Sequence, residues 1–170
     1  GLVKTPEYML LNPNSMVPVI EDDGFVLWES NVIVRYLCAR QSAGDMYPTD
    51  LRERFDAERW MDWQQTTLNP ASRPGFWQLV RTPPEQRDAA LLDGSNAAVE
   101  ALMAMLDAHL AQRPFMVGER FTMADIPVAC EVHRWFGLPQ PRQSRPHLER
   151  WYDSLCARQA SKGVLDLALS

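Results

Sequence analysis

The stretch that decides the fold is N-P-N-S-M-V-P-V-I over residues 12–20, followed by F-V-L-W-E-S over residues 25–30. The runs 17–21 and 25–28 are rich in β-formers, and the Asp-Asp-Gly segment between them favours a hairpin because Asp and Gly tolerate a positive φ. Pro18, placed at the start of the first strand, leaves the amide and carbonyl of Val17 free to pair with a guest. Glu29 and Ser30 stand where the next helix begins, and a helix N-terminus attracts a carboxylate. The stretch therefore predicts a site for a small, acidic, peptide-like ligand.

The rest of the chain has a helical pattern. Apolar residues at Ile33, Tyr36 and Leu37 have helical spacing, and residues 42–50 form a linker. Helical patterns fill residues 51–170, where we expect N-caps at Asp50 and Thr82 and apolar faces in the segments that contain Leu106 and Leu155. Asn69-Pro70 and Pro74-Gly75 should bend or break the first long helix. The prediction is an α/β domain at 1–41, a linker at 42–50 and an all-helical domain at 51–170.

The segment F-T-M-A-D-I at residues 121–126 is the best local signal of the second half. Thr122 and Asp125 have the spacing of a capping box, and Phe121 can pack against Ile126 as a hydrophobic staple. The following helix is apolar nearly all round through Cys130, so we expect it at the buried centre of the bundle. The capping role fully explains Asp125, and we expect no catalytic role for it.

The composition limits the partners. The 170 residues carry a net charge of −5, and the basic residues are scattered rather than clustered, so we expect no nucleic-acid partner. No apolar run has the length of a membrane span, and neither the cysteines nor the histidines have metal-ligand spacing. We expect a cytoplasmic protein with no metal and no membrane segment, in which Cys38, Cys130 and Cys156 are buried reduced thiols. We also place four tryptophans in the core: Trp60, Trp77, Trp135 and Trp151.

Taken in order, these motifs resemble the glutathione transferase superfamily, over nearly the whole chain. The segment W-M-D-W-Q-Q-T-T-L-N-P at residues 60–70 resembles bacterial, theta-like members. The resemblance implies an α+β fold in which the hairpin and helix are the C-terminal half of a thioredoxin-like domain, followed by the family's helical domain. The first β-α-β unit of the thioredoxin-like domain has no counterpart in the sequence.

The resemblance also assigns site residues. It implies a cis bond before Pro18, pairing of the Val17 backbone with the cysteinyl part of glutathione, and contacts from Glu29 and Ser30 to the γ-glutamyl end. A helix N-terminus for the carboxylate and a Glu for the ammonium agree with this assignment. Judged from the residues alone, Glu29 and Ser30 are equally explained as a helix cap. Met16 occupies the position before the Val-Pro pair where many members carry Lys or Arg.

The family's Ser, Tyr or Cys that contacts the glutathione sulfur has no match here, so the catalytic residue is unknown and expected upstream of Gly1. A hydrophobic co-substrate pocket is implied near Trp63, Gln64, Thr67 and Phe76, although packing within the bundle or a dimer explains them equally well. The implied activity is thiol transfer to an electrophile, or to a disulfide or peroxide, by a homodimer in detoxification, with glutathione as co-substrate and no permanent cofactor. The alternatives are a non-catalytic binding or structural module with the same fold, or a truncated and inactive form.

Overall fold

The computed structural model describes residues 1–169, so that Ser170, the end of the predicted helical domain, lies outside the described residues. The N-terminal part consists, in chain order, of α1 (Pro6–Leu11), β1 (Val19–Asp22), β2 (Phe25–Trp28) and α2 (Ser30–Gln41). The strands pair antiparallel, with Val19 opposite Trp28 and Asp22 opposite Phe25. Asp23 and Gly24 form the turn with positive φ, as their residue types predict. The first strand starts at Val19 rather than at residue 17, so Val17 and Pro18 precede the ladder.

The helical part follows a loop at residues 42–50 and contains α3 (Leu51–Trp63), α4 (Asn69–Phe76), α5 (Ala89–Leu110), α6 (Asp125–Gly137) and α7 (Pro146–Cys156). A π-helical turn, Gln64–Leu68, joins α3 to α4, and a second one, Trp77–Arg81, follows α4. Pro70 lies in the first turn of α4 and Pro74 in its interior, so, contrary to expectation, the helix is not broken at either proline. The departures from α-helical geometry are the π-helical turns on either side of α4. Single turns of 3-10 helix occur at Leu2–Lys4, Pro84–Gln86 and Gln159–Ser161. The α+β prediction is confirmed.

The core lies among α3, α5, α6 and α7. Helix α6 is its centre, with Val128 and Val132 fully buried, as predicted. The buried faces of α5 and α7 have the predicted spacing and comprise Val99, Met103, Leu106, Leu110, Leu148, Trp151 and Leu155. Burial of this apolar surface is the main source of stability of the helical part.

Asp125 holds the N-terminus of α6 in this core. Its carboxylate accepts hydrogen bonds from the backbone N–H groups of Thr122 and Met116, both at 2.9 Å, and from Trp151 Nε1 at 2.8 Å. The carboxylate therefore reaches back to Thr122 as predicted, whereas the Thr122 hydroxyl accepts from the Ala124 amide rather than from that of Asp125. Burial raises the pKa of Asp125 and the three N–H donors oppose this shift. We find a structural role for this residue.

Three expectations about the helical part were wrong. Trp77 is half exposed, because the second π-helical turn places it on the surface. Cys130 is exposed, because the α6 face that carries it borders open cavities, and Cys156 is only half-buried. Cys38 is buried as predicted, and all three cysteines are free thiols. Thr82 caps no helix: α5 begins seven residues later, where the Asp88 carboxylate accepts from the amides of Ala90 and Leu91.

By length and composition alone, α5 is apolar enough to cross a membrane, which the sequence analysis missed. Its buried face nevertheless packs against α4 and α7. Its acidic side chains also make tertiary contacts: Asp107 accepts from the backbone amides of His147 and Leu148, and Glu100 forms an ion pair with Arg145. These contacts are those of a helix within a bundle.

Polar contacts connect the N-terminal part to the helical part. Arg35 on α2 forms ion pairs with Glu58 and Asp62 on α3. In the loop at residues 42–50, the Met46 carbonyl accepts from the Met123 amide at 2.9 Å. The loop therefore contacts the segment that begins α6, and the division into two domains with a linker stays a prediction.

Candidate functional site

A buried asparagine organises the loop that precedes the hairpin. Asn12, 3% exposed, donates from Nδ2 to the Met16 carbonyl at 2.7 Å and accepts from the Asn14 amide at 3.0 Å. The Tyr8 hydroxyl donates to the same Met16 carbonyl at 2.8 Å. Two donors on one carbonyl fix the backbone immediately before Val17.

Val17 presents unpaired backbone groups. The Val17–Pro18 bond is cis, as the family resemblance implies, and Val17 is 73% exposed. Neither its N–H nor its C=O has a hydrogen-bond partner among residues 1–169. An extended peptide-like ligand can therefore pair with this residue as an added strand would.

The start of α2 presents a second set of unpaired groups. Glu29, the residue before the helix, has a φ of +75°, and its side chain makes no capping hydrogen bond. Such a backbone conformation is strained for a residue with a Cβ, and strain of this kind concentrates at functional sites. The amides of Ser30, Asn31 and Val32 have no partner within residues 1–169. Glu29 occupies the N-cap position of α2, but capping does not account for its side chain, and the open end of α2 favours an anion.

One cavity of about 350 Å³ joins these groups. Val17, Pro18, Glu29 and Ser30 line it from the N-terminal part. The helical part contributes side chains from the end of α3 to α4 and from α6: Gln64, Gln65, Asn69, Ile126, Pro127, Cys130, Glu131 and Arg134. The four residues predicted to bind glutathione thus share one cleft between the two parts of the chain; their role stays a prediction.

The predicted co-substrate residues are distributed differently. Gln64 lines the cavity described above, but Trp63, Thr67 and Phe76 are not among its lining residues. Trp63 packs edge-on against Trp60, with ring centroids 5.3 Å apart. Thr67 is exposed in the π-helical turn, and Phe76 lies under the guanidinium of Arg134 beside two neighbouring cavities.

A hydrogen bond between an asparagine and a glutamine joins the two walls of the cleft. Asn31 Nδ2 donates to the Met61 carbonyl at 2.9 Å and to Gln64 Oε1 at 3.1 Å, and all three residues are buried. The contact joins the first turn of α2 to the π-helical turn after α3. Isolated π-helical turns occur frequently at functional sites because they reorient side chains.

The contribution of α6 to the cleft was not predicted from the sequence. Periodicity indicated a helix that is apolar nearly all round, yet Cys130 and Arg134 lie on one side of it and border the cavity. The i, i+3 and i, i+4 spacing of Pro127, Cys130, Glu131 and Arg134 could have indicated this face. Although Cys130 is exposed to solvent on one side, desolvation by the surrounding protein atoms and the nearby Glu131 raise the pKa of its thiol, which disfavours the thiolate form. Within residues 1–169 we find no group of three or more His, Cys, Asp or Glu that could hold a metal ion.

Comparison with known proteins gives the family. The model of the glutathione S-transferase N-terminal domain matches residues 1–40, and that of the C-terminal domain matches residues 68–159. Glutathione S-transferase GstB of Escherichia coli (strain K12) is 39% identical over all of this chain and 83% of its own length. Elongation factor 1-gamma 1 of Oryza sativa subsp. japonica is 29% identical over 95% of this chain, which spans only 39% of that protein.

A solved structure agrees with the fold. The theta class glutathione S-transferase from the citrus canker pathogen Xanthomonas axonopodis pv. citri, solved with glutathione bound, superposes with a TM-score of 0.95. It is 44% identical, and the match covers all of this chain and 82% of that one. With both family models matched in order along the chain, we conclude that the chain belongs to the glutathione S-transferase family.

Proposed function

We propose that this chain binds glutathione in the cleft between its two parts and presents the glutathione thiol to an electrophile, or to a disulfide or peroxide. The observation that carries the proposal is the pair of unpaired backbone groups on Val17, in the same cavity as Glu29 and the open N-terminus of α2. The bacterial relative solved with glutathione, at 44% identity, supports the same ligand.

Each group has a partner on glutathione. The N–H and C=O of Val17 pair with the cysteinyl residue, as in strand addition. The Glu29 carboxylate receives the γ-glutamyl ammonium, and the free amides at the start of α2, with the Ser30 hydroxyl, receive the γ-glutamyl carboxylate. The ammonium and the carboxylate, both on the Cα of the γ-glutamyl group, would thus meet groups of opposite charge character on the adjacent residues Glu29 and Ser30.

The group that activates the sulfur is left unassigned. Cys130 borders the cavity, but the raised pKa of its thiol makes it a poor nucleophile at neutral pH. For the co-substrate, Trp63, Gln64, Thr67 and Phe76 stay predictions. A role in detoxification and a cytoplasmic location follow from the family resemblance and are part of the proposal.

A homodimer is also part of the proposal. Several apolar side chains of α3 and the hairpin are exposed, Phe55 by 62%, Leu51 by 63% and Phe25 by 51%. Burying such side chains against a second copy would stabilise the pair. Light scattering of the chain, with a Phe55→Glu variant for comparison, tests this: the wild type should have twice the mass of the variant.

A non-catalytic binding or structural module is the second candidate. It is favoured by the elongation factor 1-gamma relative, which matches 95% of this chain and is named for a role other than transfer of glutathione. A truncated and inactive form would, like a binding module, bind glutathione without turning it over. Binding without any turnover would support these alternatives over the enzyme.

Glutathione binding is tested by calorimetry and by retention on immobilised glutathione. Glu29→Ala should weaken binding about 10- to 100-fold, since a hydrogen bond to a charged group contributes about 1.5–3 kcal/mol. Glu21→Ala, on an exposed position of β1, is the matched control and should bind as the wild type does. Equal binding by the Glu29→Ala variant, or no binding by the wild type, would contradict the proposal. Conjugation of chlorodinitrobenzene then separates the enzyme from the binding module.

A further inference from the structure

An arginine borders the cleft on its helical side. Arg134 lies on α6, its side chain is 43% exposed, and it lines the cavity that also contains Val17 and Glu29. The predicted glutathione groups belong to the other wall, which is formed by the N-terminal part. A cation is therefore available in the region left for the co-substrate.

The guanidinium of Arg134 is held in place from two sides. Its Nη1 donates to Glu131 Oε1 at 2.8 Å, and its Cζ lies 5.0 Å from the ring centroid of Phe76. Glu131 is itself fixed, since its side chain is only 5% exposed and its Oε2 accepts from Ser72 Oγ at 2.8 Å. Both oxygens of Glu131 thus already have donors, and the carboxylate serves to orient the arginine.

Most donors of this arginine remain free. A guanidinium carries five N–H groups, and among residues 1–169 only Nη1 of Arg134 has an acceptor. A planar fork of this kind matches a carboxylate in two-point geometry. The position is therefore suited to a planar anionic group rather than to an alkyl or unsubstituted aryl group.

A buried amide adds to the same wall. Gln64 is 6% exposed and lines the cavity; its Oε1 accepts from Asn31, whereas its NH₂ group has no acceptor within the described residues. The amides of Gln65 and Asn69 border the cavity as well. The helical wall of the cleft thus carries hydrogen-bond donors beside the apolar Ile126 and Pro127, so it is not the purely hydrophobic pocket that the family resemblance implies.

We propose that the co-substrate of this chain is an electrophile that carries a carboxylate, and that Arg134 is the specificity-determining residue that binds this carboxylate. The proposal rests on the proposed function, because it needs glutathione on the wall formed by Val17, Glu29 and Ser30. A neutral electrophile of the same shape should bind less well, since it leaves the Arg134 donors without a charged acceptor.

Two glutathione conjugates that differ only in a carboxylate test this without any need for turnover. The probes are S-(4-carboxy-2,6-dinitrophenyl)glutathione and S-(2,6-dinitrophenyl)glutathione, with affinities measured by calorimetry. The carboxylated conjugate should bind the wild type about tenfold more tightly or better, as expected for a charge-assisted hydrogen bond. In Arg134→Gln this preference should fall to about twofold or less, while affinity for glutathione itself stays unchanged.

The control variant is Arg73→Gln, which removes an exposed arginine of α4 that stacks on Trp77 and does not line the cavity. It should keep the full preference. If Arg134→Gln no longer binds glutathione, Arg134→Lys replaces it, and its preference should lie below that of the wild type because an ammonium lacks the planar fork.

The outcomes separate this inference from the proposed function. Equal affinity of the wild type for both conjugates, or an undiminished preference in the Arg134 variants, overturns the role of Arg134 while glutathione binding still supports the proposed function. Absence of glutathione binding by the wild type contradicts the proposed function itself.

Discussion

The two parts of the molecule are held together in different ways. In residues 1–41 only four residues are buried, Asn12, Asn31, Ile33 and Cys38, and two of them are asparagines whose side chains bond to backbone carbonyls. In the helical part a continuous apolar cluster surrounds α6. The comparison indicates that the wall with the unpaired ligand-binding groups depends on polar contacts and on the bundle, whereas the bundle is stabilised by its own core.

This difference fits the proposed chemistry. A region that offers backbone groups to a ligand must leave them unpaired, as at Val17 and at the start of α2, and it therefore gives up part of its own stabilisation. A region that only supports the site can use its buried polar groups for internal contacts, as the Asp125 carboxylate does by accepting from three donors. The variants below test the contrast, ordered by expected effect.

Asp125→Ala should cause the largest loss. The change leaves Trp151 Nε1 and the amides of Met116 and Thr122 without their acceptor, so we expect a loss of about 3–5 kcal/mol in the free energy of unfolding. Urea unfolding followed by circular dichroism measures it. Asp93→Asn, at an exposed position of α5, is the control and should stay within about 0.5 kcal/mol of the wild type. A loss below about 1 kcal/mol would show that the buried carboxylate does not hold α6.

Asn31→Ala should have an intermediate effect, on both the free energy of unfolding and the affinity for glutathione. It removes the donor to the Met61 carbonyl and to Gln64 Oε1, leaving buried acceptors unpaired at a cost of about 1–3 kcal/mol. Because Asn31 lies in the first turn of α2, glutathione affinity should fall as well. Calorimetry and urea unfolding measure the two effects. Unchanged values in both would mean that the two walls of the cleft are not coupled through this contact.

Asp22→Asn should have a smaller effect, which is a change in how the stability of the protein depends on pH. The Tyr36 hydroxyl donates to its carboxylate, and this hydrogen bond, together with Arg40, lowers the pKa of Asp22 below the ordinary value of 3.8. Because the folded-state pKa is lowered, the stabilisation is present above the unfolded value and is lost as the pH falls through the folded value. Between about pH 5 and about pH 2, the wild type should lose more stability than Asp22→Asn. Equal losses in both proteins would contradict the assignment.

Val17→Ala should have the smallest effect. The side chain is 73% exposed and the proposed contacts use only the backbone, so stability should change by less than about 0.5 kcal/mol and glutathione affinity by less than about twofold. Calorimetry checks the affinity. A large loss of binding would show that the side chain, rather than the backbone, contacts the ligand.

Much of the fold could be predicted from local patterns. Turn residues at Asp23 and Gly24, the spacing of Val99, Met103 and Leu106, and the box from Thr122 to Asp125 each specify structure through contacts within a few residues. The predictions from local sequence were wrong at Thr82, where a neighbouring residue makes the predicted contact, and at Trp77, which has an unexpected position in the fold. Thr82 has the residue type of an N-cap, but Asp88 makes that contact. Trp77 is half exposed, although aromatic residues are usually buried.

The candidate site was only partly accessible to such reasoning. The pairing of Val17-Pro18 with Glu29-Ser30 is visible as spacing along one stretch, so one wall of the cleft could be proposed from sequence. The opposite wall could not, because Gln64 and Arg134 are 70 residues apart in the chain and meet only when α6 packs beside the π-helical turn. Nothing local indicates that a charged residue on an apolar helix borders a ligand cavity.

Residue types at fixed spacing specify the order of elements, the hairpin, the buried faces of α5 and α7, and the family, so these could be predicted from the sequence alone. The tertiary structure was needed to show that the Glu29 side chain makes no capping hydrogen bond, that Asn31 joins α2 to Gln64, and that Arg134, paired with Glu131, borders the same cavity as Val17. The physical reason is that hydrogen bonding and burial depend on which side chains lie close in space, and contacts of long sequence separation are not encoded in any single segment.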